Sequence, residues 1–152
     1  MSREYPDRPV VGVGVVVIGP AGVLMIRRGK PPREGQWSLP GGGQNLGETA
    51  FDAGRREVQE ETGLAVEVLG LVDVVDSIRT DADGRVQYHY TLVDILAVVA
   101  PGAPAEPAAG GDAAAAAWFG FDDLAGLGLW SETERVINLA REMHQALADA
   151  GR

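Results

Sequence analysis

The sequence contains no cysteine. That excludes disulfides, thiolate metal sites and cysteine nucleophiles together, and it makes a reducing, cytoplasmic home the expectation. Long apolar runs are also missing. The longest, residues 10–18, falls far short of the roughly 20 residues that a membrane-crossing helix needs, so no membrane partner is expected. The opening MSREYPDRP is charged and broken by proline, unlike a secretory signal. Positive charge is scarce. Thirteen Lys and Arg against 22 Asp and Glu leave a net charge of −9. This argues against nucleic acid polymers as partners, because that affinity comes from basic side chains neutralising phosphates. An anion can be held only where a metal ion or a local basic cluster reverses the field. The 152 residues, 45% hydrophobic and 23% charged, suit a single globular domain, residues 1–152, with its own core. No internal repeat and no shift of composition divides it.

What is present reads as a mixed α/β chain. Residues 10–18 are dense in valine and followed by Gly19, Pro20 and Gly22, a buried strand ending in a turn. Residues 23–28 form a second strand and close a hairpin. Residues 29–43, rich in Gly and Pro, read as a loop around a short apolar patch, residues 37–39. A helix is expected from about Glu48 to Thr62, stopping at Gly63. Strands follow at 65–75 and 88–100, with the DADG turn at 81–84 between them. Residues 101–117 are low in complexity and read as a flexible surface loop. A short strand at 118–121 and a C-terminal helix complete the chain; Ser131 and Glu134 fit a capping box there. The order β, β, α, β, β, β, α suggests a mixed sheet with helices packed against it.

The helix at 48–62 carries the chemical signal. At about 100° per residue, Phe51, Gly54, Arg55 and Val58 share one side. Phe51 and Val58 are expected to face the core, and Gly54 to admit a neighbouring backbone. Glu57, Glu60 and Glu61 occupy one arc of the same helix. Like charges at i,i+4 cost a few tenths of a kcal/mol, and carboxylates in the last turns oppose the helix dipole. A solvated acidic face, softened by Arg55 and Arg56, is one explanation. The other lies in the preceding Gly41, Gly42 and Gly43, whose flexible backbone can turn carbonyls toward the arc. Carboxylates and carbonyls are hard oxygen donors that suit Mg²⁺ or Mn²⁺, and such a cation would cancel the repulsion and attract a phosphate.

Gly42, five residues, Glu48, seven residues and then Arg56-Glu57-Val58-Gln59-Glu60-Glu61-Thr62-Gly63-Leu64 resembles the Nudix box at every specified position. Trp37-Ser38-Leu39-Pro40-Gly41 resembles the usual run into it. The resemblance implies the Nudix fold, an α/β/α sandwich with a mixed β-sheet. It also implies Mg²⁺-dependent hydrolysis, with Mn²⁺ as substitute, of a nucleoside diphosphate linked to another moiety. Carried over by position, Glu57 and Glu61 look like the main metal ligands and Glu60 a further ligand or base. The Gly41 carbonyl looks like part of the metal shell. Arg56 looks like the residue that orients these carboxylates, with Glu48 as its ion-pair partner. Asp112, ahead of Trp118, best matches an additional loop carboxylate, with Glu106 second.

Arg27 and Arg28 end the second strand where they can add charge beside phosphates, although paired arginines are commonly just solvated. Tyr88, Tyr90 and Trp130 are candidates for stacking on a base, or for plain sheet packing. His89 and His144 read as ordinary hydrogen-bonded side chains, and Lys30 lacks a phosphate-loop pattern. The chain looks most like bacterial ADP-ribose pyrophosphatases, with a small-molecule nucleotide as substrate. Two alternatives are a nucleoside triphosphate pyrophosphohydrolase and a nucleotide-sensing domain without catalysis; a homodimer is compatible with any of these.

Overall fold

The computed structural model describes residues 3–31 and 33–151. Strand β1 (Val10–Gly19) organises the molecule because it is buried on both faces. Val13, Val15 and Val17 enter one core, while Val16 and Ile18 enter another on the opposite side. This is the period of two that a pleated strand imposes. A turn at residues 20–21 leads into β2 (Gly22–Arg28), whose register pairs Ile18 with Val23. On its other edge β1 runs parallel to β6 (Val86–Val99), which pairs antiparallel with β5 (Val66–Thr80). The result is a mixed seven-stranded sheet.

A helix covers each face. The helix α1 (Ala50–Thr62) places Ala53 and Val58 in the core with Val13, Val15 and Ile95. The longer α2 (Ser131–Ala150) places Val136, Ile137 and Ala140 against Val16, Leu96 and Val75. The architecture is therefore the α/β/α sandwich that the box implied. No helix among the described residues is long and apolar enough to cross a membrane.

Several local expectations change. The segment read as a loop holds two short strands, β3 (Trp37–Ser38) on β2 and β4 (Gly41–Gly43) on β1. The glycines of β4 look like loop residues in one dimension. They form a strand because a Cβ at Gly41 would collide with the Val13 carbonyl, so only glycine permits this pairing. The alanines read as flexible loop form β7 (Ala113–Phe119), paired along β2. The preceding stretch is docked as well: the Ala108 and Gly110 N–H groups donate to the carbonyls of Thr62 and Glu61 at 2.9 and 3.1 Å. Those end-of-helix carbonyls would otherwise lack donors.

The helix α1 starts two residues later than expected, because Thr49 caps it through the Asp52 N–H. Phe51 is partly exposed at 37% and does not enter the core. Gly54 admits the side chains of Val13, Val15 and Ile95, not a backbone. At α2 the residue before the first turn is Trp130, with no side-chain cap bond, so the Ser131–Glu134 capping box is not formed.

Candidate active site

A cavity of about 710 Å³ opens where β4, the start of β1 and the C-terminal half of α1 meet. Its α1 wall is built around Arg56. The guanidinium donates from Nε and Nη2 to both oxygens of Glu48, at 2.8 and 3.0 Å. Nη2 also donates to the Gly43 carbonyl at 2.9 Å. Nη1 reaches Glu57 at 2.8 Å and Glu60 at 3.2 Å. One planar fork thus ties the loop before α1, the strand β4 and two carboxylates of the arc into a fixed arrangement. Lysine, with a single rotatable ammonium, could not make it. Hydrogen bonds to Glu48 raise Arg56 further above its already high range, and the same contact holds Glu48 below the usual carboxylate range.

Glu57 and Glu61 face β4. The Gly41 N–H donates to Glu61 at 2.7 Å. A Cβ at Gly42 would lie 2.5–2.7 Å from the carboxyl atoms of Glu57, so the bare backbone there makes room for that carboxylate. Burial raises Glu57, with Arg56 opposing it. Burial also pushes Glu61 up to about 7; the Gly41 N–H lowers it and the charge of Glu57 raises it again. Two carboxylates thus stand close, partly dehydrated and mutually repelling.

Among the described residues no three acidic or histidine side chains form a ready metal cage. The donor set nevertheless fits Mg²⁺ or Mn²⁺. These ions are commonly held by one or two carboxylates, with water and substrate phosphates completing the shell. Glu57 and Glu61 offer hard oxygens of the kind these ions take, and the absence of a side chain at Gly42 leaves room for the Glu57 carboxylate.

The remaining expected residues divide. Asp112 lines the cavity, pairs with Lys30 at 2.9 Å, and raises the proton affinity of both Glu57 and Glu61. The hydrogen bond from Gly29 N–H to the Asp112 carbonyl fixes it just before β7. Arg28, Tyr88, Tyr90 and Trp130 line the cavity too. Arg27, one residue from Arg28 along a strand, is exposed and stands over the ring of Trp37, 5.9 Å away. Glu60 lies outside the cavity lining, held by Arg56, and Glu106, His89 and His144 are not part of that lining.

Several lining residues escaped the sequence reading. Arg33 and Arg79 sit near enough to Arg28 that burial and the charges of Arg79 and Arg28 depress the Arg33 guanidinium. They come from β2, the following loop and β5, so nothing in the sequence links them. Asp94 is 6% exposed on β6. Its signal was visible: a single charge within the apolar run TLVDILAVV.

The NUDIX domain model matches residues 8–140. An ADP-ribose pyrophosphatase from Methanocaldococcus jannaschii is 36% identical over 116 residues, covering 76% of this chain and 64% of that protein. An RNA pyrophosphohydrolase from Novosphingobium aromaticivorans is 33% identical over 92 residues, 60% of this chain and 50% of its own length. The chain spans less than two-thirds of the length of these two relatives. The crystal structure of a MutT NUDIX hydrolase from Burkholderia pseudomallei superposes with a TM-score of 0.73 at 32% identity, over 88% of this chain and 98% of that one.

Proposed function

The chain belongs to the NUDIX family, and on that premise we propose that it is a divalent-metal-dependent hydrolase that cleaves the pyrophosphate linkage of a nucleoside diphosphate derivative, ADP-ribose foremost. The observation that carries this reading is the pair Glu57 and Glu61 facing the side-chain-free strand β4, with Arg56 holding Glu57 in place. The 36% identity to an ADP-ribose pyrophosphatase supports the choice of substrate.

Mg²⁺, held by Glu57, Glu61 and the Gly41 carbonyl, would supply charge neutralisation at the phosphates and a more acidic water. The chain's own residues do the rest. Arg56 keeps Glu57 from swinging away, and the Gly41 N–H fixes one oxygen of Glu61. Arg28, on the cavity wall, meets the non-bridging oxygens of the substrate phosphates. Water attacks one phosphorus, and the bridging oxygen leaves with the other phosphate. A carboxylate within hydrogen-bond reach takes the proton of the water; Asp112, on the cavity wall, is better placed for this than Glu60.

A second reading, hydrolysis of a nucleoside triphosphate, is favoured by the grouping of Arg28, Arg33 and Arg79 on the cavity lining, basic side chains that suit a longer phosphate chain. Incubation of the purified protein with Mg²⁺ and ADP-ribose, dinucleotides or nucleoside triphosphates separates the two readings. AMP with ribose 5-phosphate is the product pair expected from ADP-ribose. Nucleoside monophosphate with pyrophosphate, formed only from triphosphates, selects the second reading. Turnover of none of them discards both.

A further inference from the structure

The cavity extends past the carboxylate pair to the other face of the sheet, where Asp94 stands on β6. Asp94 is 6% exposed, yet its carboxyl has no hydrogen-bond partner among the described residues. Neither of its oxygens is sealed from the cavity. Arg135, whose charge acts on Asp94, is already engaged by Asp73 at 2.8 Å and Glu132 at 2.6 Å. The fold makes specific room for this group: a Cβ at Gly14, the residue paired with Asp94 across β1 and β6, would collide with its Oδ1. With its oxygens open to the cavity and no donor from the described residues on them, a molecule that enters the cavity can complete their hydrogen bonding.

The surroundings indicate the ligand. Leu92, two residues back on the same face of β6, and Leu39, which approaches Gly14, give apolar walls. Trp130 belongs to the same packed cluster as Leu39 and Leu92 and also lines the cavity. Apolar walls, an aromatic ring and one convergent polar group are the features of a site for a flat heteroaromatic molecule with a hydrogen-bonding edge.

We propose that Asp94 is a specificity-determining residue that hydrogen-bonds the polar edge of the substrate's nucleobase, with Leu39, Leu92 and Trp130 holding the ring. This deepens the nucleotide reading given above and rests on it. Burial holds the Asp94 carboxyl up to about 7, with the charge of Asp73 raising it further and that of Arg135 lowering it. In the neutral form the group offers one donor and one acceptor. That pair complements N1 and the 6-amino group of adenine, and an amide offers the same pair.

Equilibrium binding of AMP and of ribose 5-phosphate, measured by calorimetry on the full chain in Mg²⁺, tests this directly, because ribose 5-phosphate carries a hydroxyl where AMP carries the base. The wild-type protein should bind AMP about tenfold or more tighter, the scale of a good hydrogen bond added to stacking. Asp94→Asn should keep that preference within about threefold. Asp94→Leu, of similar shape, should lose about tenfold in AMP affinity and leave ribose 5-phosphate unchanged; Asp94→Ala carries the same expectation in a smaller side chain. Both Asp94→Asn and Asp94→Leu should also raise the melting temperature, since each removes a buried carboxyl without a partner. Equal affinity of the wild type for the two ligands overturns the proposal. So does an Asp94→Leu or Asp94→Ala variant that keeps the preference or weakens both ligands alike, or an Asp94→Asn variant that loses it. A base preference with these variant effects, in a protein that hydrolyses no diphosphate, leaves Asp94 in its role and removes the catalytic reading instead.

Discussion

Glu57 and Glu61 are held in a strained electrostatic arrangement that serves no purpose in an empty surface. Their isosteric replacement separates a site from a solvated face. Glu57→Gln and Glu61→Gln should each lower turnover at least about a hundredfold while the protein stays folded, because each change relieves repulsion and desolvation. Steady-state rates beside a thermal melt check both halves, and unfolding of either variant would make the residue structural. Proton linkage gives a second expectation. Glu61 and Asp94 are both held up to about 7 by burial, against ordinary values of 4.5 and 3.8. A carboxyl that binds its proton more tightly in the folded state opposes folding once it is ionised in both states. Stability therefore falls as pH rises through the window from about 4 to 7. Carboxyls held low, such as Glu48 beside Arg56, act below that window and do not offset it. In chelator, the melting temperature at about pH 8 should lie below that at about pH 5.5, and Asp94→Asn should flatten part of the slope.

Among the elements, the three-residue strand β4 has the largest effect for its size. Gly42→Ala places a methyl within the space of the Glu57 carboxyl, whereas Gly41→Ala drives one into the Val13 carbonyl. The first should abolish most of the activity with a modest loss of stability, because a side chain yields. The second should unfold the β1–β4 pairing, because backbone does not. Urea melts paired with activity assays distinguish the two, and equal stability for both variants would contradict this account. The same strand shows where a reading of elements from sequence falters. Gly41–Gly43 and the alanines of β7 carry no period of hydrophobicity, since small residues state only that something else comes close. The valine-rich β1 and the helix α1 with its glycine stop were plain, because each states its own period or its own end.

For the whole molecule, a net charge of −9 makes a cation at the site a matter of stability as well as chemistry. An ion bound only by the folded state adds RT ln(1 + [L]/Kd), about 2.7 kcal/mol at a hundred times Kd. In a chain of this size that is roughly 5–10 °C in Tm. Millimolar Mg²⁺ or Mn²⁺ should give such a shift, matched sodium chloride should not, and Glu57→Gln should remove it. An equal shift from sodium chloride would return the α1 arc to an ordinary acidic face. Calcium should protect the fold and support little turnover, being larger and freer in its geometry.

The sequence by itself determined what is local or periodic. It set the alternation that buries β1 on both faces and the spacing that puts Glu57 and Glu61 one turn apart. It also set the order of the longer elements and the box between Gly42 and Leu64. Those features depend on neighbours along the chain, within the reach of one turn or one pleat. Tertiary structure decided what depends on neighbours in space. It turned a glycine loop into the strand facing Glu57 and docked the alanine-rich segment on the end of α1 and on β2. It also drew Arg28, Arg33 and Arg79 from three elements to one wall and left Asp94 buried opposite Gly14. The physical reason is that close approach and desolvation are properties of packed surfaces, and one-dimensional order constrains them only weakly.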